Sequence, residues 1–271
     1  MKIFAIRDEE DITGKDLAYL FYYENDKKFY IELREDADPW ELPLLLDSFA
    51  KKREMTVDSY WSEIWVRQRI IPPDRQNIGE ILRDNHLESY DEYGLLLPAM
   101  GRCAQDSYYL AAVRFDELPE EIRMRFSKRV EDALALEDFK LLVFFRDETV
   151  KKCDMAAYFS EKDGFGALLE NPDYFKYASV MPGGFGISWD ININVSAGEL
   201  YRIGTEIPLT AEDFRSFAAQ KVVNVAEAAD MLGCTRQNID YLTRSGKLRP
   251  IKTAEKAILY MKSDIQSHGW Q

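Results

Sequence analysis

The stretch NVAEAADMLGCTRQNIDYLTRSGKL, from Asn224 to Leu248, leaves its backbone few options. Asn224 and Glu227 have the spacing of a capping box, so a helix can begin at Val225. Val225, Ala228, Ala229 and Leu232 recur at helical spacing and form its inner face, and the small Ala229 lets another helix come close. Gly233 supplies a tight turn. Thr235 is an N-cap for a second helix to about Ser245, with Ile239 and Leu242 pointing inward and Gly246 closing it. Two short helices joined through glycine, the second polar on its outside, make the helix-turn-helix layout. Beyond Gly246, KLRPIKTAEKAILYM reads as a strand, a basic turn with Lys252 and Lys256, and a return strand, ahead of a last helix near KSDIQSHGW. That hairpin is a wing.

In this layout the early residues of the second helix enter the major groove of DNA. Here they are Arg236, Gln237 and Asn238, followed one turn later by Tyr241. Arginine can pair with guanine in bidentate fashion, and Asn or Gln with adenine, so the residue types suit base reading. Thr235 and Arg244 join them as candidate contacts, with Lys252 and Lys256 on the phosphate backbone. The segment VVNVAEAADMLGCTRQNIDYLTRSGKLRP, with AILYMKSDIQ behind it, resembles the winged helix-turn-helix of the MerR and excisionase superfamily. The resemblance implies that Arg236 and Tyr241 touch DNA. Neither the metal-site cysteines of MerR sensors nor the long dimerisation helix that follows their wing is present, so metal sensing does not carry over.

A formal charge of -13 on the whole chain opposes phosphate binding. The charge is unevenly placed, however. From Lys221 onward eight Lys and Arg stand against five Asp and Glu, a balance of +3, which leaves -16 on the rest of the chain. Charges beyond a Debye length of ~10 Å are largely screened, so a basic head can bind phosphates while its acidic body lies farther off. Affinity per head would be low, and a homodimer would raise it.

Ahead of this unit the chain mixes strands and helices. LFYYENDKKFYIEL predicts a hairpin, with Phe29, Ile31 and Leu33 alternating with Tyr30 and Glu32 about a turn at Asn25-Asp26. Helical faces follow: Leu42, Leu45, Leu46 and Phe49; Trp61, Ile64, Trp65 and Gln68, stopped by Pro72-Pro73; and Ile78, Ile81 and Leu82. Another helix is expected from Tyr90 to Met100, with Gly101 as its stop. Ile122, Phe126 and Val130 suggest a connecting helix over 116–135. FKLLVFF and TVKKCDM then read as strands, Asn171-Pro172-Asp173 as a helix start, PGGFGISW as a turn and strand, Ser196 with Glu199 as a capping box, and Thr210 with Asp213 as one more helix start. The expected class is α+β and multidomain: an N-terminal α+β domain at 1–115, the connecting helix, a small α+β domain at 136–205, and the winged helix-turn-helix at 206–271.

The middle region, through FKLLVFFRDETVKKCDM, NPDYFKYASV and GFGISWDININVSAGELY, resembles a small acidic bacterial domain family of unknown function often fused to a helix-turn-helix. That resemblance implies a compact α+β domain in an antitoxin-like or regulatory setting. Asp147-Glu148 stands where the family has Asp-Gly, which puts the tight turn in question. IWVRQRIIPPDRQNIGEILRDNHLESYDEYGLLLPAMGRCAQD is similar to the accessory N-terminal domain of HipA-type toxins. No glycine-rich loop, strand lysine and metal-binding Asp/Asn set accompanies it, so kinase chemistry is not implied.

Other chemistries are poorly supplied. Cys103, Cys153 and Cys234 lie far apart without a CxxC pair, and His86 and His268 are the only histidines, which argues against zinc sites, histidine bases and a full disulfide set. Arg102, Cys103 and Asp106 stand close together but without a Cys-His signature. PGGFG is followed by no Gly-Lys-Ser/Thr, and Trp40, Trp61 and Trp65 at helical spacing read as core. No apolar run approaches a membrane span, and the N-terminus has no signal-peptide pattern. The expectation is a cytoplasmic, non-enzymatic regulator with no cofactor and no metal. Double-stranded DNA is its partner, and the acidic body dimerises or binds a protein. The alternative is a non-catalytic interaction protein whose helix-turn-helix is structural.

Overall fold

The computed structural model describes residues 1–160, 164–190, 193–254 and 257–269. With 39% helix and 25% antiparallel sheet the chain is α+β. It divides into two compact units, Met1–Asp147 with Lys152–Gly204, and Glu148–Lys151 with Thr205–Gln271.

The first unit begins with β1 (Lys2–Asp8), β2 (Ala18–Tyr23) and β3 (Lys28–Leu33), followed by α1 (Leu44–Lys52), β4 (Thr56–Val57), α2 (Ser59–Arg67), α3 (Ile78–Asp84), α4 (Glu92–Leu96) and β5 (Tyr108–Ala112). The strands form one antiparallel sheet in the order β4-β3-β2-β1-β5. The expected hairpin is β2-β3, paired from Ala18↔Leu33 to Tyr23↔Lys28. Its alternation does not survive as an inside and an outside. Tyr30 and Glu32 are 1% and 2% exposed, as deeply buried as Phe29, Ile31 and Leu33. The physical reason is that both faces of the sheet are covered. Phe4, Ile6, Leu20 and Ile31 pack with Leu46, Trp65 and Leu96 on one side, while Ile3, Ala5, Tyr19 and Phe21 pack with Leu118 and Ile122 on the other. Each such large apolar side chain contributes about 1.5–3 kcal/mol by leaving water.

Two expected helices are shortened. α4 ends at Leu96, and the chain turns through Met100 (φ 45) and Gly101 (φ 71). The segment read as a connecting helix is α5 (Glu120–Ser127) followed by a strand, β6 (Val130–Leu136). Strand pairing overrides helical spacing there, because β6 aligns with β7 (Lys140–Phe145) from Val130↔Phe145 to Leu136↔Lys140. In α2 the buried face is Ser62, Trp65 and Val66; Trp61 is 41% exposed, and Trp40 stands almost free at 84%.

After β8 (Val150–Asp154), which lies beside β7, come α6 (Met155–Ser160), α7 (Gly166–Glu170), α8 (Pro172–Phe175), β9 (Ser179–Val180), β10 (Gly186–Ser188), β11 (Asn194–Ser196) and α9 (Ala197–Ile203). The tight turn before β8 forms without glycine, since Glu148 takes the left-handed region at φ 65. Asn171 caps α8 by accepting from the Tyr174 amide at 3.1 Å, and Ser196 caps α9. Phe175, Ile187, Trp189, Val195 and Leu200 close this part of the core together with Leu141, Val143 and Phe145. Gly184 (φ 76) is required where it stands: a Cβ there would lie 2.2 Å from the Val130 carbonyl oxygen.

The second unit contains β12 (Thr205–Ile207), α10 (Ala211–Lys221), β13 (Val222–Asn224), α11 (Val225–Leu232), α12 (Arg236–Arg244), β14 (Lys252–Ala254), β15 (Ala257–Met261) and α13 (Lys262–Gly269). Its sheet runs β13-β15-β14, both pairs antiparallel. Among the described residues no helix is long and apolar enough to cross a membrane.

Candidate nucleic-acid interface

The capping and turn signals that marked the two short helices of the C-terminal unit in the sequence have geometric counterparts, whereas Lys252, expected in a basic turn, lies in β14. The Asn224 carboxamide oxygen accepts from the amides of Ala226 (2.8 Å) and Glu227 (3.1 Å), and the Glu227 carboxylate accepts from the Asn224 amide at 2.8 Å. This reciprocal box satisfies amides that the first turn of α11 would leave bare. Gly233 ends the helix at φ 60, a left-handed conformation that needs no Cβ. The Thr235 hydroxyl then accepts from the Asn238 amide at 3.3 Å and starts α12.

The two helices pack through Ala228 and Ala229 against Ile239 and Leu242, with Leu248, Tyr260 and Ile265 completing the core. Behind α12, the Thr243 hydroxyl bonds the Ile239 carbonyl (2.8 Å) and the Tyr260 hydroxyl (2.7 Å), and Tyr260 is fully buried. The return strand of the hairpin is thereby tied to the inner side of α12.

What remains outside is the candidate surface. At 3.6 residues per turn, Gln237, Tyr241 and Arg244 lie opposite the buried Ile239 and Leu242, with Arg236 and Asn238 at the two edges. All five are exposed, Tyr241 to 62%. Lys252, the first residue of β14, is also exposed, while Lys256 lies outside the described residues. Thr235 is exposed, but its hydroxyl is occupied as the cap.

Two features alter the reading of the site. Asp240 and Arg244 form an ion pair at 2.6 Å one turn apart, so a carboxylate sits in the face and compensates one of its cations. Lys247 and Arg249, outside the proposed set of contacts, are exposed in the connection from α12 to β14. Their only sequence signal was the local charge balance. The chain matches no family model, no curated protein and no solved structure with which it was compared.

Proposed function

We propose that the C-terminal unit binds double-stranded DNA with sequence preference. The protein then acts as an antitoxin-like DNA-binding regulator whose acidic N-terminal body dimerises or holds a protein partner. The observation that carries this reading is the outward face of α12. Gln237 and Tyr241 stand exposed between Arg236 and Asn238 on a helix whose inner face is wholly committed to the core. Side chains of these types can reach base edges, and Lys252, Lys247 and Arg249 can neutralise phosphates. This arrangement accords with the resemblance to the MerR and excisionase winged helix-turn-helix.

Fluorescence anisotropy of the intact protein against duplexes from its own genomic neighbourhood, at low and moderate salt, tests the proposal. Binding is expected to weaken steeply with salt, and Arg236→Ala and Gln237→Ala should each cost about 1–3 kcal/mol on the preferred duplex. No binding at low salt, or full binding by both variants, overturns it. The Asp240–Arg244 pair favours a second reading, in which this face contacts a protein and the helix-turn-helix is structural.

A further inference from the structure

Three large apolar side chains of the first unit stand outside its core. Ile12, Trp40 and Leu44 are 101%, 84% and 87% exposed, the most of any large hydrophobic among the described residues. Their backbone is nonetheless fixed. Trp40 sits in the single turn Pro39–Glu41, where the Asp38 carboxylate accepts from its amide at 3.0 Å, and the Tyr108 hydroxyl donates to the Glu41 carbonyl at 3.1 Å. Lys51 Nζ lies 4.8 Å from the Trp40 ring centroid, and Lys51 stands two turns along α1 from Leu44, on the same side of the helix. Lys15 reaches Glu41 at 3.3 Å and so brings the β1–β2 connection, with Ile12 in its turn, beside this segment. The Asp11 carboxylate holds that turn by accepting from the Thr13 and Lys15 amides.

Single exposed apolar residues are ordinary, but a Trp with two aliphatic neighbours on fixed backbone has the make-up of an interface centre. Its surroundings are negative. Residues 8–16 and 35–51 hold ten Asp and Glu against Lys15 and Lys51. The cations that other parts of the unit bring near are Arg7 on Asp16, Arg34 on Asp36, Arg102 on Glu9, and Lys52 with Arg53 at the end of α1. Ten carboxylates thus face seven cations, an excess of three. Arg125 and Arg129 do not change that excess, because they bring Glu32 and Glu121 with them: Glu32 pairs with Arg129 and lies 3.3 Å from Arg125 Nε, and Glu35 and Glu121 act on Arg125.

We propose that the surface around Trp40, Leu44 and Ile12 docks a basic protein segment, whose large apolar side chains pack on Trp40 and Leu44 while its Lys and Arg meet Asp38, Glu41 and Asp11. The sign of the charge selects this occupant. A second copy of the chain would bring the same excess against itself, and a nucleic acid or an anionic membrane would be repelled. The inference rests on the reading in which the acidic body holds a protein partner, and it is independent of DNA binding by α12.

The test is fluorescence anisotropy of a labelled amphipathic helical peptide of leucine and lysine titrated with the full chain at moderate salt. Binding is expected, and replacing every leucine of the probe by serine, or every lysine by glutamate, should weaken it by about tenfold or more. Trp40→Ala and Leu44→Ser, at exposed positions where the melting temperature should stay unmoved, are expected to weaken the leucine-lysine probe by a similar factor. On the unaltered chain the probe should slow hydrogen exchange within residues 11–15 and 38–44. The proposal falls if the probe does not bind, if the serine probe binds as well, since charge alone then suffices, or if both variants bind in full. Protection confined to other parts of the acidic body overturns this surface while leaving a protein-holding body in place. A dimer in sedimentation that Trp40→Ala disperses makes the occupant a second copy and overturns the proposal too.

Discussion

The two units of this protein place their charged groups in opposite ways. In the first, the structure closes over charge: Glu32, Arg69 and Arg129 are 2%, 6% and 4% exposed, and Arg69 stacks on Trp65 at 3.7 Å while pairing with Asp106 at 2.5 Å. In the second, the core is made of small and aliphatic side chains around Tyr260, and the described charged residues stay at or near the surface. The difference teaches where function and stability can be separated. A buried charge is bound to its neighbours, because removing one partner strands the other in a poorly solvating interior. An exposed charge on α12 can be changed while the helix below it stays folded.

The largest effect should come from the buried side. Glu32→Gln strands Arg129 and should destabilise the first unit by about 3–5 kcal/mol, read by urea denaturation through the buried Trp65 and Trp189. A loss near zero would break the comparison. In the second unit the sensitive positions are apolar instead. Ile239→Ala should cost about 2–5 kcal/mol, visible as lost hydrogen-exchange protection in α11 and α12 with the tryptophan transition of the first unit unmoved. A shared shift of both signals would show that the units do not behave separately.

Smaller effects sharpen the contrast. Thr235→Ala removes the cap of α12 and should cost about 1 kcal/mol in the same exchange experiment. Arg236→Ala should change stability by no more than about 0.5 kcal/mol while weakening DNA binding. Asp240→Asn should leave the melting temperature almost unmoved, since exposed pairs of this kind contribute little, and should tighten DNA binding by releasing Arg244. A tighter complex in anisotropy supports DNA as the occupant of this face, and an unchanged one counts against it.

How much of this was legible beforehand differs between the same two regions. The helix-turn-helix segment could be read almost residue by residue because its determinants are local: a capping box, a left-handed glycine and an N-cap each act within four residues of chain. The strand β6 could not, since VEDALAL carries no clear alternation and becomes a strand by pairing with β7. Nor could β5, a short run in which Leu110 is the one buried residue.

The sequence by itself determined the α+β class, the paired short helices near the C-terminus with Ile239 and Leu242 inward, and the identity of the polar residues left outside. Tertiary structure alone decided that Glu32 is interior, although its strand alternates as if one face met water. Residues from α5, from its connection to β6 and from the turn before β10, far along the chain, bring Arg125, Arg129 and Phe185 to that face. Helix caps are written in neighbouring residues, whereas the burial of a charge depends on which distant segments cover it, and no short stretch of sequence records that.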